Sequence, residues 1–131
     1  MKIGFKVTGI DKAIQAVDYV QRIMMQYVAI ELDWFGKTVS AEMISDHPYI
    51  DRTGQLTRSI GFTIESWTYG KAIINVFALA AYAQPVEFGT ATSRPYPFFY
   101  PVFYKYLDEL MRRIQAAVDK AFDEAAQIGL S

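Results

Sequence analysis

YAQPVEFGTATSRPYPFFYP, residues 82–101, is the stretch whose reading decides the fold. It holds four of the five prolines and six of the eighteen Phe and Tyr side chains. Proline fixes φ and removes a backbone donor, so the run reads as neither a helix interior nor a central strand. Gly89 followed by Thr90, Thr92 and Ser93 reads as a turn leaving a short edge strand around residues 86–88. So many large apolar rings must be buried, either on the same domain or on another subunit.

Working outward, the spacing on the N-terminal side predicts one long helix over residues 11–45, with Asp11 as its N-cap. Ile14, Val17, Val20, Met24, Val28, Leu32, Phe35, Val39 and Met43 recur at three and four residues. Ile23, Tyr27, Ile30 and Trp34 widen that stripe beyond one contact face. At 1.5 Å per residue such a helix reaches ~50 Å, so it either bends near Gly36 or projects; a mostly continuous helix is expected. Before it, residues 2–7 alternate, with Ile3, Phe5 and Val7 on the buried side of a short strand. After it, Asp46-His47-Pro48 ends the helix. His47, the single histidine, reads as a polar residue at a helix exit, with no second ligand nearby.

Residues 56–65 then alternate as a half-buried strand, Leu56, Ile60, Phe62 and Ile64 inward with Arg58 the exception. A hairpin turn at 67–70 leads to residues 71–79, apolar on both faces. That strand needs two covers, the second being either a helix of the same chain or another subunit. On the far side of the proline-aromatic stretch, Pro101 opens a final helix. Its stripe is Val102, Tyr106, Leu110, Ile114, Ala117, Ala121, Ala125 and Ile128, and Gly129 ends it. The architecture expected is α+β: a long N-terminal helix, a small antiparallel sheet, a proline-aromatic loop and a C-terminal helix, in a single domain of residues 1–131.

Composition agrees with one packed domain. The chain has 131 residues, 52% hydrophobic and 15% aromatic, with a formal net charge of −1 and no cysteine. The apolar share is high for one small domain and favours an oligomer. Near-neutral charge gives no field for an autonomous nucleic-acid binder, and the absence of thiols excludes disulfides and thiolate zinc sites. No apolar run approaches the ~18 residues a membrane span needs, and the N-terminus has no cleavable apolar core, so a soluble chain is expected. No glycine-rich phosphate loop, metal-ligand cluster or nucleophile elbow appears, so neither an enzyme nor a cofactor is expected. Glu87 is the one acid set in an apolar stretch; Arg94, seven residues on, is its expected ion-pair partner.

Two motifs carry a family likeness. Tyr82-Ala83, Val86-Glu87-Phe88-Gly89-Thr90, Arg94-Pro95, Pro97-Phe98-Phe99 and Pro101 form the first; Pro48, Thr53-Gly54, Leu56, Arg58 and Ser59-Ile60 form the second. In that order they resemble the gene-product-ten-like tail components of tailed bacteriophages, associated with tail completion and head–tail joining in long-tailed phages. Gln84-Pro85 departs from the family's freer pair and stiffens the entry to Val86. The resemblance implies a structural protein of a virion or prophage, assembled in the host cytoplasm and working through a homo-oligomeric ring and neck or tail partners. It also implies no sequence-specific nucleic acid, membrane or small-molecule substrate. The interface expected on this view comprises Tyr82, Glu87, Phe88, Gly89, Thr90, Arg94, Pro95, Tyr96, Pro97, Phe98, Phe99 and Pro101. Phe88, Tyr96, Phe98 and Phe99 are its contact anchors, while Gly89 and Pro95 shape the loop. The alternatives are a minor tail or neck protein binding one partner without a ring, or a non-phage enzyme or regulator of coincidental likeness.

Overall fold

A computed structural model describes residues 1–7, 18–45, 49, 54–68 and 71–127. Strand β1 (Lys2–Val7) precedes the long helix α1 (Asp18–Ser45), a one-turn helix α2 (Gln55–Arg58), strands β2 (Ile60–Thr68) and β3 (Lys71–Ala78), and helices α3 (Ala83–Phe88), α4 (Tyr100–Lys105) and α5 (Leu107–Gln127). The chain is α+β, as its two periodicities require. The Asp11 cap, His47 and the turn at residues 69–70 lie outside the described residues.

The sheet has order β1-β3-β2 and is antiparallel throughout. Its register puts Ile3, Phe5 and Val7 on the same face as Ile74, Val76, Ala72, Phe62 and Ile64. That face packs on α1, whose Met24, Val28, Leu32, Phe35, Val39 and Met43 are wholly buried. Each such side chain contributes roughly 1.5–3 kcal/mol by leaving water. The register shifts between Ile64 and Trp67, so β2 carries an irregularity just before its hairpin end.

Helix α1 is continuous through Gly36, and its wide apolar stripe has a cause. Three successive residues meet three different neighbours, because each step turns the helix by about 100°. Trp34 meets Tyr106 edge-on at 6.4 Å, between α4 and α5; Phe35 meets Phe103 of α4 at 5.1 Å; Gly36 lies under Phe62 of β2. Antiparallel α5 and the end of α4 are fastened along α1 by polar pairs. The Tyr27 hydroxyl donates to Glu124, Arg113 reaches Glu31 at 3.3 Å, and Lys105 reaches Glu42 at 2.9 Å.

Three local expectations need correction. Residues 56–58 belong to a helical turn started by Gly54 at φ 73°, so β2 begins only at Ile60. The expected edge strand at 86–88 is the helix α3. Pro85 sits in its first turn, where a missing N–H costs nothing, and Gly89 at φ 81° stops it. The expected final helix is two pieces, broken at Tyr106. Of its stripe, Val102, Leu110, Ala117 and Ala121 are buried and Tyr106 and Ile114 half-buried, while the Ala125 side chain, Ile128 and the Gly129 stop lie outside the described residues.

Strand β3 receives its first cover from within: Ala72, Ile74, Val76 and Ala78 are shut under α1. On the other face Ile73 and Phe77 are half-buried and Leu79, just past the strand, is 68% exposed. The outward ring of Phe77 lies against Gly61, where an added Cβ would meet it at 3.0 Å.

Candidate interaction surface

Residues 82–101 build a braced hairpin-like excursion between β3 and α4. Its two legs are joined by backbone bonds, Tyr96 N–H to the Val86 carbonyl at 2.8 Å and Thr90 N–H to the Ser93 carbonyl at 2.9 Å. Gly89 is required twice over. Its φ of 81° disfavours any side chain, and a Cβ there would come within 2.9 Å of the Pro95 nitrogen. Between the legs, residues 90–95 are all exposed.

The brace is Glu87, a buried carboxylate at the end of α3. One oxygen, Oε1, accepts the N–H groups of Phe98 and Phe99, each at 2.8 Å; Oε2 accepts that of Tyr100 at 3.2 Å. These donors open α4, whose first N–H groups have no partner inside the helix. A carboxylate only accepts, so three converging donors suit it, and charge makes each bond stronger than a neutral one. The expected Glu87–Arg94 ion pair is therefore corrected. Arg94 turns outward, its Nε donating to the Tyr96 hydroxyl at 3.1 Å and its guanidinium 4.9 Å from that ring's centre.

The aromatic anchors divide. Phe98 and Phe99 are buried in the chain's own core, which corrects their reading as partner contacts. Phe98 meets Tyr49 at 5.1 Å and Phe99 meets Tyr100 at 5.3 Å. Pointing them inward is what the Glu87 clamp achieves, because it fixes the backbone at both residues. Phe88 stays outside, 58% exposed, with its ring 5.7 Å from Tyr100; Tyr100 stacks in turn on Tyr104 at 6.4 Å and 21°. Tyr104 is also 58% exposed. Tyr82, Thr90, Arg94, Pro95, Pro97 and Pro101 lie on the exterior, and Tyr96 and Gly89 are half-buried.

The outcome is an open row of three rings, Phe88, Tyr100 and Tyr104, beside an exposed proline loop. Tyr100 and Tyr104 were absent from the sequence-derived interface. Their signal was present, since they stand four apart at the start of a helix whose buried stripe runs through Val102 and Phe103. Among the described residues no group of three or more His, Cys, Asp or Glu is placed to hold a metal, and no helix is long and apolar enough to cross a membrane.

Beneath the row, the junction of α4 and α5 carries the perturbed titratable groups. The Tyr106 hydroxyl donates to Glu42 at 2.6 Å, and the Lys105 ammonium reaches both Glu42 oxygens, at 2.9 and 3.1 Å. The phenol bond above all, with the ammonium, holds the Glu42 carboxyl below its ordinary value; the same contacts raise Tyr106 and Lys105. These shifts follow from a packing contact between α1 and the α4–α5 junction.

No protein-family model matches the chain, and no curated protein or solved structure matches it either.

Proposed function

We propose that the chain is a structural component of a tailed-bacteriophage or prophage particle, placed at the head–tail junction or the tail terminus. In this reading it acts through contacts between copies, closing a ring, and through contacts with neck or tail proteins; it performs no catalysis. The observation that carries the reading is the aromatic row of exposed Phe88 and Tyr104 with half-buried Tyr100 between them, its backbone braced at Tyr100 by the buried Glu87 clamp. Large rings left in water on a braced backbone cost little entropy when a partner covers them, which is the chemistry of an interface anchor. The order of the two sequence motifs supports the same reading.

The test is native mass spectrometry with negative-stain electron microscopy of the purified chain, alone and mixed with neck and tail-tube proteins of the same genome. A closed ring of uniform copy number is the expected species, formed alone or on meeting a partner. A chain that stays monomeric and unbound in every mixture overturns the reading. A one-to-one complex without a ring would instead assign it to the minor neck or tail proteins.

A further inference from the structure

The aromatic row and the proline loop next to it have matching chemistry, and they are separate patches of one chain. Arg94-Pro95-Tyr96-Pro97 is exposed apart from the half-buried Tyr96 and belongs to neither helix nor strand. Pro95 and Pro97 each fix their own φ, while Arg94 and Tyr96, each preceding a proline, are held out of the α region. The segment is thereby restricted toward an extended, polyproline-like course before it meets anything. Its base is fixed as well, by the Tyr96–Val86 backbone bond and the Arg94–Tyr96 contact.

Polyproline segments dock on rows of exposed aromatic rings, because the segment loses little entropy and its prolines lie flat on ring faces. The dimensions agree. Prolines two residues apart in that conformation are separated by ~6 Å along the axis. The row offers ring centres 5.7 Å apart from Phe88 to Tyr100 and 6.4 Å apart from Tyr100 to Tyr104. Charge agrees as well. Among the described residues the Arg94 guanidinium touches only the Tyr96 side chain of its own loop, and Arg94 is exposed. Asp108, four residues beyond Tyr104 in the first turn of α5, is an exposed carboxylate outside the ion pairs that bind α5 to α1.

We infer that the proline loop of one copy docks on the aromatic row of the next. Pro97 and Pro95 lie over Phe88, Tyr100 and Tyr104, and Arg94 reaches Asp108. Donor and acceptor are different surfaces; where two copies do not exchange them reciprocally, the contact runs head to tail, the kind that closes rings. The inference rests on the ring reading above and names the surface that would make it.

The chain has no cysteine, so engineered thiols report the contact cleanly. An Arg94→Cys chain is mixed with an Asp108→Cys chain and treated with a short thiol-to-thiol bis-maleimide, and the mixed species is resolved by intact mass. These positions leave the prolines and all three rings in place. A direct disulfide needs Cα atoms within about 7 Å, closer than an arginine reaching a carboxylate holds them, so the linker supplies the missing reach. The mixed link is expected well above that of Arg94→Cys mixed with Ile30→Cys, a control at an exposed site on α1. Adding Tyr104→Ser or Phe88→Ser to the Asp108→Cys chain is expected to cut the link roughly tenfold, as loss of an aromatic anchor does. A mixed species no more abundant than the Ile30 control overturns the inference; rings seen by mass spectrometry would then leave the ring reading standing on another surface. If the link forms while only dimers appear, the inference holds and the ring reading falls. Binding of a soluble proline-rich peptide that Tyr104→Ser weakens, with no link between copies, would give the row to a foreign segment and also overturn the inference.

Discussion

Gly36 of α1 lies directly beneath the ring of Phe62 on β2: a Cβ on Gly36 would stand 2.2 Å from that ring. The ring can lie this close to the helix backbone because the helix contributes no side chain at Gly36. The glycine that reads as a possible bend in the sequence is a point of contact in the fold.

Gly36→Ala is therefore expected to destabilise the protein, although alanine is the better helix former by about 1 kcal/mol. Overpacking against a ring held by its own strand costs typically 1–3 kcal/mol and outweighs that gain. Urea unfolding should show a net loss, and pairing the change with Phe62→Leu should recover part of it. A Gly36→Ala protein more stable than its parent would show that the ring yields freely.

Glu87 and Arg94 should separate sharply by mutation. Glu87→Ala leaves three amide donors leading into α4 without their acceptor, an expected loss of about 3 kcal/mol. Glu87→Gln keeps one acceptor oxygen and sets an amide group against a donor, so it should cost less, about 1–2 kcal/mol. Arg94→Ala removes an exposed contact and should change stability by no more than about 0.5 kcal/mol. Equal losses at both positions would restore the ion pair that the geometry replaces.

The aromatic residues fall into two classes that thermal unfolding can tell apart. Phe99→Ala and Phe98→Ala empty core positions and are each expected to cost about 3–5 kcal/mol. Phe88→Ser and Tyr104→Ser act on exposed rings and should leave the isolated chain within about 0.5 kcal/mol of its parent. Any effect of these two changes should instead appear in assembly.

Acid should weaken the join between α1 and α4 through Glu42. Its carboxyl sits below the ordinary value of 4.5, chiefly because the Tyr106 phenol donates to it, with Lys105 assisting against the cost of burial. A depressed carboxyl contributes stability that is present above its unfolded pKa and lost as pH falls through the folded one. The midpoint difference between parent and Glu42→Gln should be full at pH 6 and shrink below about pH 4.5. At the alkaline end the sign reverses: Tyr106 is raised above 10.0 by the same bond, so its contribution holds below that pH and fades as the phenol ionises. A difference that stays constant through the acid range would remove Glu42 from this role.

Arg113 fastens α5 to α1 in a way a lysine cannot copy. Its guanidinium lies 3.8 Å from the centre of the Trp34 ring while reaching Glu31 at 3.3 Å and Glu109 at 3.4 Å. The group is partly solvated, so Arg113→Ala should cost only about 1 kcal/mol. Arg113→Lys should recover little of it, since a point charge cannot stack and pair at once. Urea unfolding of the three proteins decides the matter.

Much of the fold was legible along the chain. Met24, Val28, Leu32, Phe35, Val39 and Met43 announced the buried side of α1, and Ile3, Phe5 and Val7 the inner face of β1, because spacing alone sets which side chains share a face. Pro85 misled, since a proline excluded from a helix interior is welcome in a first turn. Arg58 was the warning at residues 56–58: it broke the alternation because the strand had not yet begun. Within 82–101 the sequence marked Gly89, Pro95 and Glu87 as special without saying what each one holds.

By itself, then, the sequence determined the periodic elements, the side each one buries, and an aromatic excursion too apolar to be left wholly in water. Only the tertiary structure decided which rings of that excursion fill the core and which stay outside. Spacing along a chain records faces, whereas burial depends on what arrives from far away. Phe35 comes to Phe103 and Glu87 to three amides beyond a turn, and those meetings turn Phe98 and Phe99 inward while leaving Phe88 and Tyr104 in solvent.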